Sequence, residues 1–157
     1  MKGNQKVIAA LSEDLKAELT AINQYFCHAE MCENWGYENL GKITKGHAMG
    51  EMKHAEALIE RILFLDSTPN MSAYFKIKIG SSVKQQLEFD LALELDAIPR
   101  LNAGIATSVA EGDNGSRDLL ESILKDEEEH VDYLEAQLHM VSEMGLQNYL
   151  AEQMKEK

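Results

Sequence analysis

Apolar residues recur every three or four positions through most of the chain, which is the period of an amphipathic helix. The first such stretch ends at Trp35-Gly36, because glycine readily adopts the left-handed conformation that closes a helix. Its apolar positions are Ile8, Leu11, Leu15, Leu19, Ile22, Tyr25, Phe26 and Ala29. A second stretch predicts a helix from about Glu38 to Leu65. Two helices of about 28 residues joined by so short a turn must lie antiparallel.

The helical pattern stops for the 17 residues from Asp66 to Ser82. A tight turn would not need so many residues, so this segment is predicted to cross over along a helix bundle. A third helix begins near Val83 and continues to about Val109, with Pro99 inside it. Since proline removes a backbone hydrogen bond, a kink is expected there.

Residues 112–115 read as a turn, after which Ser116 is expected to cap a fourth helix. That helix stops at Gly145, and a short fifth helix is predicted from Leu146 to about Lys155. The sequence therefore predicts an all-α fold, a four-helix bundle with a long crossover and a short C-terminal fifth helix.

The size and charge of the chain limit the classes of function that it can have. Its 157 residues suggest one domain over residues 1–157. It carries 15 basic and 27 acidic residues, a net charge of −12. This balance argues against a nucleic-acid partner, since binding phosphates needs an excess of Lys and Arg, but it suits cations.

The lack of a targeting signal and the spacing of the cysteines predict a cytoplasmic location. No apolar run approaches the ~20 residues that cross a bilayer, and no secretory signal opens the sequence, so no membrane partner is expected. Cys27 and Cys32 lie five residues apart on one predicted helix. Five helical residues rise about 7.5 Å, which is too far for a disulfide, so both are predicted to be free thiols in a reducing compartment.

Acidic and histidine residues interrupt the inward-facing apolar stripe of each long helix. These residues are Glu18, Glu51, His54, Glu94, Glu127 and His130. An isolated carboxylate in an apolar core costs several kcal/mol unless it is paired or bound to a metal. A Glu on such a stripe can also belong to a solvated helix edge, so position alone does not decide.

A repeat makes the metal interpretation stronger. Adding 76 to the positions of Glu18, Glu51 and His54 gives Glu94, Glu127 and His130. Each half therefore supplies one lone Glu and one Glu-x-x-His, whose spacing puts both side chains on one helix face. Two divalent cations would cancel the charge of four glutamates. Carboxylate and imidazole ligands suit iron or manganese, with zinc also possible, so a dinuclear metal site is predicted. Glu51 and Glu127 are the expected bridges, because each begins a Glu-x-x-His.

The sequence resembles the bacterioferritins, the haem-containing branch of the ferritin family. The similarity runs from Met1 to the last helix. It is carried by Ala21-Ile22-Asn23-Gln24-Tyr25-Phe26, Glu51-Met52-Lys53-His54-Ala55, Asp90-Leu91-Ala92-Leu93-Glu94 and Met144-Gly145-Leu146-Gln147-Asn148-Tyr149-Leu150. The resemblance implies a ferritin-like bundle that assembles into a hollow cage of 24 subunits. It also implies that two Fe(II) ions are oxidised by O₂ or H₂O₂ at a ferroxidase centre and stored as ferric mineral.

The resemblance assigns individual roles as well. The ferroxidase ligands would be the six repeat residues, with Tyr25 close to them. Met52 matches the axial ligand of a b-type haem that two subunits share across a two-fold interface. An associated ferredoxin that delivers electrons is a further implied partner. The sequence leaves open whether the chain assembles alone or with a second subunit type.

Several positions depart from the family pattern. Gly46 and Gly50 stand where many bacterioferritins have a His and an Asp facing the cavity, which makes an inner-surface iron site doubtful. His28 and His139 are expected to be ordinary surface or interface histidines. Of residues 126–129, Glu127 alone is expected to turn inward.

Three alternative functions fit part of the pattern. A rubrerythrin-type peroxidase would share the bundle and ligands but usually carries a Cys-x-x-Cys pair, which this chain lacks. In a haem-binding electron carrier the seam carboxylates would be structural, an interpretation that His54 and His130 beside four glutamates disfavour. A miniature ferritin that protects DNA places its site between subunits, whereas here one chain carries all six ligands.

Overall fold

The computed structural model describes residues 1–154, which form five α-helices with no strand between them. The four long helices are α1 (Gln5–Asn34), α2 (Glu38–Phe64), α3 (Val83–Ala110) and α4 (Asn114–Met144). The short α5 (Leu146–Ala151) packs against α4. The predicted ferritin-like four-helix bundle with a long crossover and a short C-terminal helix is confirmed. No helix in this part of the chain is long and apolar enough to span a membrane.

The helices pack as two hairpins, α1 with α2 and α3 with α4, joined mainly through α1 and α3. Gly36, just after the end of α1, has a φ of 91°. This is the left-handed conformation that the sequence predicted. α3 runs without a break through Pro99. The kink expected at that residue stays a prediction.

The predicted capping residue of α4 was wrong. Asp113, rather than Ser116, caps α4, because its carboxylate accepts a hydrogen bond from the Ser116 backbone N–H at 3.0 Å. Asp and Ser are both strong capping residues, so the sequence around the turn allowed either choice. α5 ends at Ala151, and the predicted end at Lys155 lies outside the described residues.

Two apolar clusters fill the bundle at either side of the polar seam. One includes Leu11, Leu15, Leu58, Ile62, Leu101, Leu120 and Ile123. The other includes Cys32, Leu40, Val83, Leu87, Leu134, Val141 and Tyr149. The seam residues Glu18, Glu51, Glu94 and Glu127 lie between them, so burial of these clusters holds the site in place. Both cysteines are free.

The crossover between α2 and α3 has no regular structure, yet side chains of α1 hold its backbone. The N–H groups of Phe75, Lys78 and Gly80 donate hydrogen bonds of 2.9–3.1 Å. Their acceptors are Thr20, Gln24 and His28, spaced four residues apart along one face of α1. We call these three side chains the crossover ladder.

His28 is therefore not the surface histidine that the sequence suggested. It is 1% exposed, and its Nδ1 lies 2.9 Å from Asp90 Oδ1 while its Nε2 accepts from the Gly80 N–H. The prediction was wrong because the contact needs the crossover, whose path no local pattern reveals. His139 is exposed, as expected.

Candidate metal centre

The six repeat residues converge in the middle of the bundle. The α1–α2 hairpin supplies three of them, and the α3–α4 hairpin supplies the other three. The four carboxylates are between 1% and 3% exposed. Their ligand atoms form two overlapping groups in which all atoms lie within 4.8 Å of one another. One group is Glu18, Glu51, His54 and Glu127, and the other is Glu51, Glu94, Glu127 and His130. Glu51 and Glu127 belong to both groups, so the six residues could hold two cations that share these carboxylates.

The imidazole rings point Nδ1 at the carboxylates. His54 Nδ1 lies 3.1 Å from Glu127 Oε1 and 3.5 Å from Glu18 Oε2. His130 Nδ1 lies 3.1 Å from Glu51 Oε1 and 3.6 Å from Glu94 Oε1. Each ring thus presents the same nitrogen to one group of carboxylate oxygens.

One buried polar atom of each of the six residues lacks a hydrogen-bond partner. These atoms are Glu18 Oε2, Glu51 Oε1, His54 Nδ1, Glu94 Oε2, Glu127 Oε1 and His130 Nδ1. Buried polar atoms without partners are rare in proteins and call for an explanation such as an ion. Oxygen and imidazole nitrogen donors in this number fit two first-row divalent cations.

The pKa values show how the centre carries its charge without metal. Burial opposes a charge on either imidazole, but the surrounding carboxylates outweigh it and raise the pKa of His54 to about 11 and of His130 to about 12. Burial and then Glu127 raise the pKa of Glu94 to about 8. Burial and Glu51 also raise the pKa of Glu18 well above its usual value. Protons therefore neutralise the metal-free centre, and cations must displace them.

Tyr25 closes the centre on the α3 side. Its phenol O–H donates a hydrogen bond to Glu94 Oε1, and the side chain is 2% exposed. Burial and the charge of Glu94 raise the pKa of Tyr25 well above its usual value, so the phenol stays protonated and remains a donor. The structure thus brings Tyr25 next to the six repeat residues, as the resemblance implied.

Asp126 supports His54 from the other side of its ring. Asp126 Oδ2 lies 2.8 Å from His54 Nε2, leaving Nδ1 free for the carboxylates. Carboxylates in this position orient metal-binding histidines and raise their basicity. This role was not predicted, because residues 126–129 other than Glu127 were expected to form a solvated acidic face. Asp126 is a half-exposed acidic residue and interrupts no apolar stripe, but its position beside Glu127 could have suggested the contact.

His130 has different surroundings. The 76-residue repeat places Gly50 where Asp126 stands in the other half. The His47 ring packs against His130 at a centroid distance of 4.7 Å and edge-on against Tyr133 at 4.9 Å. Burial and then the charge of His130 lower the pKa of His47 to about 4, so His47 is neutral near pH 7.

Asp14 is a second feature that the sequence analysis missed. It is 2% exposed, and neither carboxylate oxygen has a hydrogen-bond partner. Burial and then Glu127 raise its pKa to about 8. The repeat pairs Asp14 with Asp90, which receives hydrogen bonds from Gln24 and His28. A carboxylate one helical turn before Glu18 is the signal that could have identified it.

Met52 lies on the outer face of α2, apart from the metal centre. Its side chain is 48% exposed, and the aromatic ring of Phe26 on α1 is 46% exposed. Met49 on the same helix is also exposed. An exposed thioether among exposed apolar side chains is compatible with a soft ligand role toward a flat apolar group.

Comparison with known proteins agrees with this geometry. The family described as Ferritin-like domain matches residues 8–144. The chain is 42% identical to the bacterioferritin of Mycolicibacterium paratuberculosis and 44% identical to that of Mycobacterium leprae. Each of these alignments covers 97% of this chain and 96% of the relative. A bacterial ferritin of Synechocystis is 44% identical, over 98% of this chain and 99% of the relative. The chain therefore belongs to the bacterioferritin family and carries the ferritin-like domain of that family.

Proposed function

We propose that this chain is a subunit of an iron-storage protein that oxidises Fe(II) at the six-residue centre. The observation that carries the proposal is the set of six buried side-chain atoms without hydrogen-bond partners, one from each repeat residue. Their division into two groups with two shared carboxylates provides places for two ions, and iron is the substrate. The names of the related bacterioferritins support iron as the metal.

The ligand roles follow from the two groups. Glu18 and His54 bind one Fe(II) ion, Glu94 and His130 bind the other, and Glu51 and Glu127 bridge the two. The four carboxylates balance the charge of two divalent ions. Both imidazoles bind in their neutral form, so iron entry releases protons from the centre.

Oxidation needs an acceptor for two electrons. Each Fe(II) gives up one electron, and O₂ takes the pair with two protons to give H₂O₂; alternatively, H₂O₂ takes the pair with two protons to give water. Tyr25 keeps Glu94 in place through its hydrogen bond while the charge at the centre rises. The products are Fe(III) ions, which move on to the stored mineral.

Storage requires a container larger than one bundle. We propose a cage of 24 subunits built from two-fold dimers of this chain, either alone or together with a second subunit type. Membership of the bacterioferritin family supports this assembly. A cytoplasmic location and a single domain over residues 1–157 complete the proposal.

Met52 is the proposed axial ligand of a b-type haem shared by two subunits. Its exposed thioether, with Met49 also exposed on the same helix, fits the apolar face of such a group. Bound haem supplies one-electron transfer, for which a bacterioferritin-associated ferredoxin is the proposed donor. Met52→Leu should lose the haem absorbance, whereas Met49→Leu on the same exposed side of α2 should keep it. Full haem content in Met52→Leu protein would rule out this ligand.

The storage proposal is tested by adding Fe(II) in air and measuring the iron that elutes with protein in gel filtration. Twenty-four copies of the 17.6-kDa chain give a particle of about 420 kDa. Many tens of irons per chain in such a particle are expected. Iron that saturates at two per chain in a dimer would instead favour the rubrerythrin-type peroxidase.

A further inference from the structure

A pocket of about 340 Å³ opens between the crossover and the outer face of α3. Its walls include Phe75, Lys76 and Lys78 from the crossover and Phe89, Asp96 and Arg100 from α3. Pockets of this size commonly bind small molecules. The pocket is outside the set of six ligands, although Leu93 lines both it and the small space beside Glu18 and Glu94.

Four basic side chains gather around this pocket. Lys76, Lys78 and Arg100 line it, and Lys16 approaches from α1. Lys16 Nζ lies 4.3 Å and Arg100 Cζ lies 4.6 Å from the centre of the Phe75 ring. In a chain with a net charge of −12, such a concentration of positive charge is unusual.

The basic groups have little negative charge to balance them. Within residues 1–154, none of the four forms an ion pair with a carboxylate inside 4.0 Å, and Asp96 is the acidic residue in the wall. Arg100 also faces the buried Asp14, but Asp14 accepts no hydrogen bond from it. Cation–π contacts of Lys16 and Arg100 with one phenyl ring offset only a small part of the repulsion among the exposed cations.

The crossover ladder fixes the wall that carries two of these lysines. Thr20 accepts from the Phe75 N–H and Gln24 accepts from the Lys78 N–H. Gln24 is itself held by Asp90, to which its amide donates at 2.8 Å. The backbone around Lys76 is therefore held at both ends, which lowers the entropy lost when a ligand binds.

We propose that this pocket binds a phosphate group. The planar guanidinium of Arg100 can donate two hydrogen bonds to phosphate oxygens, and the lysines add point charges around them. The aromatic rings of Phe75 and Phe89 leave an apolar wall beside the anion. The ligand is either inorganic phosphate or the phosphate of a small monoester whose body packs against these rings.

Equilibrium dialysis of radiolabelled inorganic phosphate against the iron-free, assembled protein at low ionic strength tests the proposal. Wild type should bind about one phosphate per chain in a saturable manner. The double variant Lys78→Gln and Arg100→Gln should bind at least tenfold more weakly. The matched control is Lys2→Gln with Lys125→Gln, which removes two positive charges away from the pocket and should retain wild-type affinity. Circular dichroism of both variants checks that the bundle is folded.

The outcomes separate a site from general attraction to positive charge. Absence of saturable binding by wild type, or an equal loss in both double variants, would overturn the proposal. Competition with a small phosphate monoester distinguishes the two sources: stronger displacement than by inorganic phosphate indicates an organic ligand, and equal displacement indicates the free ion. Since the protein carries no iron in this test, the result is independent of ferroxidase activity.

Discussion

The two halves of the metal centre have matching ligands but different surroundings. His54 is held by the Asp126 carboxylate at its outer nitrogen, whereas His130 packs against the neutral ring of His47. The residue that corresponds to Asp126 in the second half is Gly50. The repeat supplies the same candidate ligands twice, but the residues around each imidazole differ. The difference predicts two metal sites of unequal affinity, with the tighter one at His54.

The same contrast holds for Asp14 and Asp90, which also correspond in the repeat. Asp90 is bonded to Gln24 and His28. The matching positions beside Asp14 are Arg100 and Gly104, and neither carboxylate oxygen of Asp14 has a hydrogen-bond partner. One aspartate therefore stabilises the crossover, while the other costs stability.

Removal of a direct ligand should have the largest effect. His130→Ala deletes the imidazole of the second half, and the initial rate of Fe(II) oxidation should fall by more than the roughly 10–100-fold that outer supporting residues typically contribute. His139→Ala removes an exposed histidine of the same helix and should leave the rate unchanged. Stopped-flow absorbance measures both rates, and an unaltered rate in His130→Ala protein would contradict the ligand assignment.

Asp126→Asn should make the metal affinities of the two predicted sites more nearly equal, because it weakens the tighter site at His54. Loss of the carboxylate leaves His54 less basic and less well oriented, and should weaken the tighter metal site by roughly 10-fold. Titration with Co²⁺ under anaerobic conditions, followed by its visible absorbance, resolves the two binding steps. Glu128→Gln, an exposed change two residues away, is the control. Two equal steps in wild type would remove the contrast between the halves.

Asp14→Leu should stabilise the metal-free protein, and by more as the pH rises. The folded state raises the pKa of Asp14 from 3.8 to about 8, so it holds a proton that the unfolded chain has released. The free energy of unfolding therefore falls as the pH rises between about 4 and 8. Asp14→Leu removes both this pH-dependent loss and the buried polar group without a hydrogen-bond partner. The free energy of unfolding should therefore increase by about 1–3 kcal/mol.

Urea unfolding at pH 5 and pH 8 measures this change. Asp90→Leu is the matched variant and should have the opposite effect, because it leaves Gln24 and His28 without their acceptor. A loss of stability in Asp14→Leu at pH 8 would show that Asp14 has a partner in the folded protein.

Changes at Gly50 should have the smallest effect. A Cβ at this position meets no atom within 4 Å, so Gly50→Ala should stabilise α2 by about 0.5–1 kcal/mol and leave the metal sites unchanged. Gly50→Asp supplies the carboxylate missing from the second half and should tighten the weaker Co²⁺ site by a few-fold. Equal Co²⁺ affinities in the two Gly50 variants would show that an aspartate there does not reach His130.

Local periodicity and the repeat were enough to predict the helices and which six side chains converge in the buried seam. Glu18 and Glu94 stand out because each interrupts an apolar stripe at the same offset. The supporting residues could not be predicted in this way. His28 depends on the path of the crossover, and Asp126 depends on contact between α2 and α4. Both contacts join residues more than fifty positions apart, for which the sequence carries no periodic signal.

The crossover ladder has a consequence for how the subunit opens. A connection without helix or strand ordinarily exchanges its amide hydrogens quickly, because local fluctuations expose it. Here the backbone amides of residues 75, 78 and 80 donate hydrogen bonds to the side chains of the crossover ladder, which belong to α1. Those amides should be protected for as long as the first hairpin stays intact, so this irregular segment unfolds with the bundle and not ahead of it.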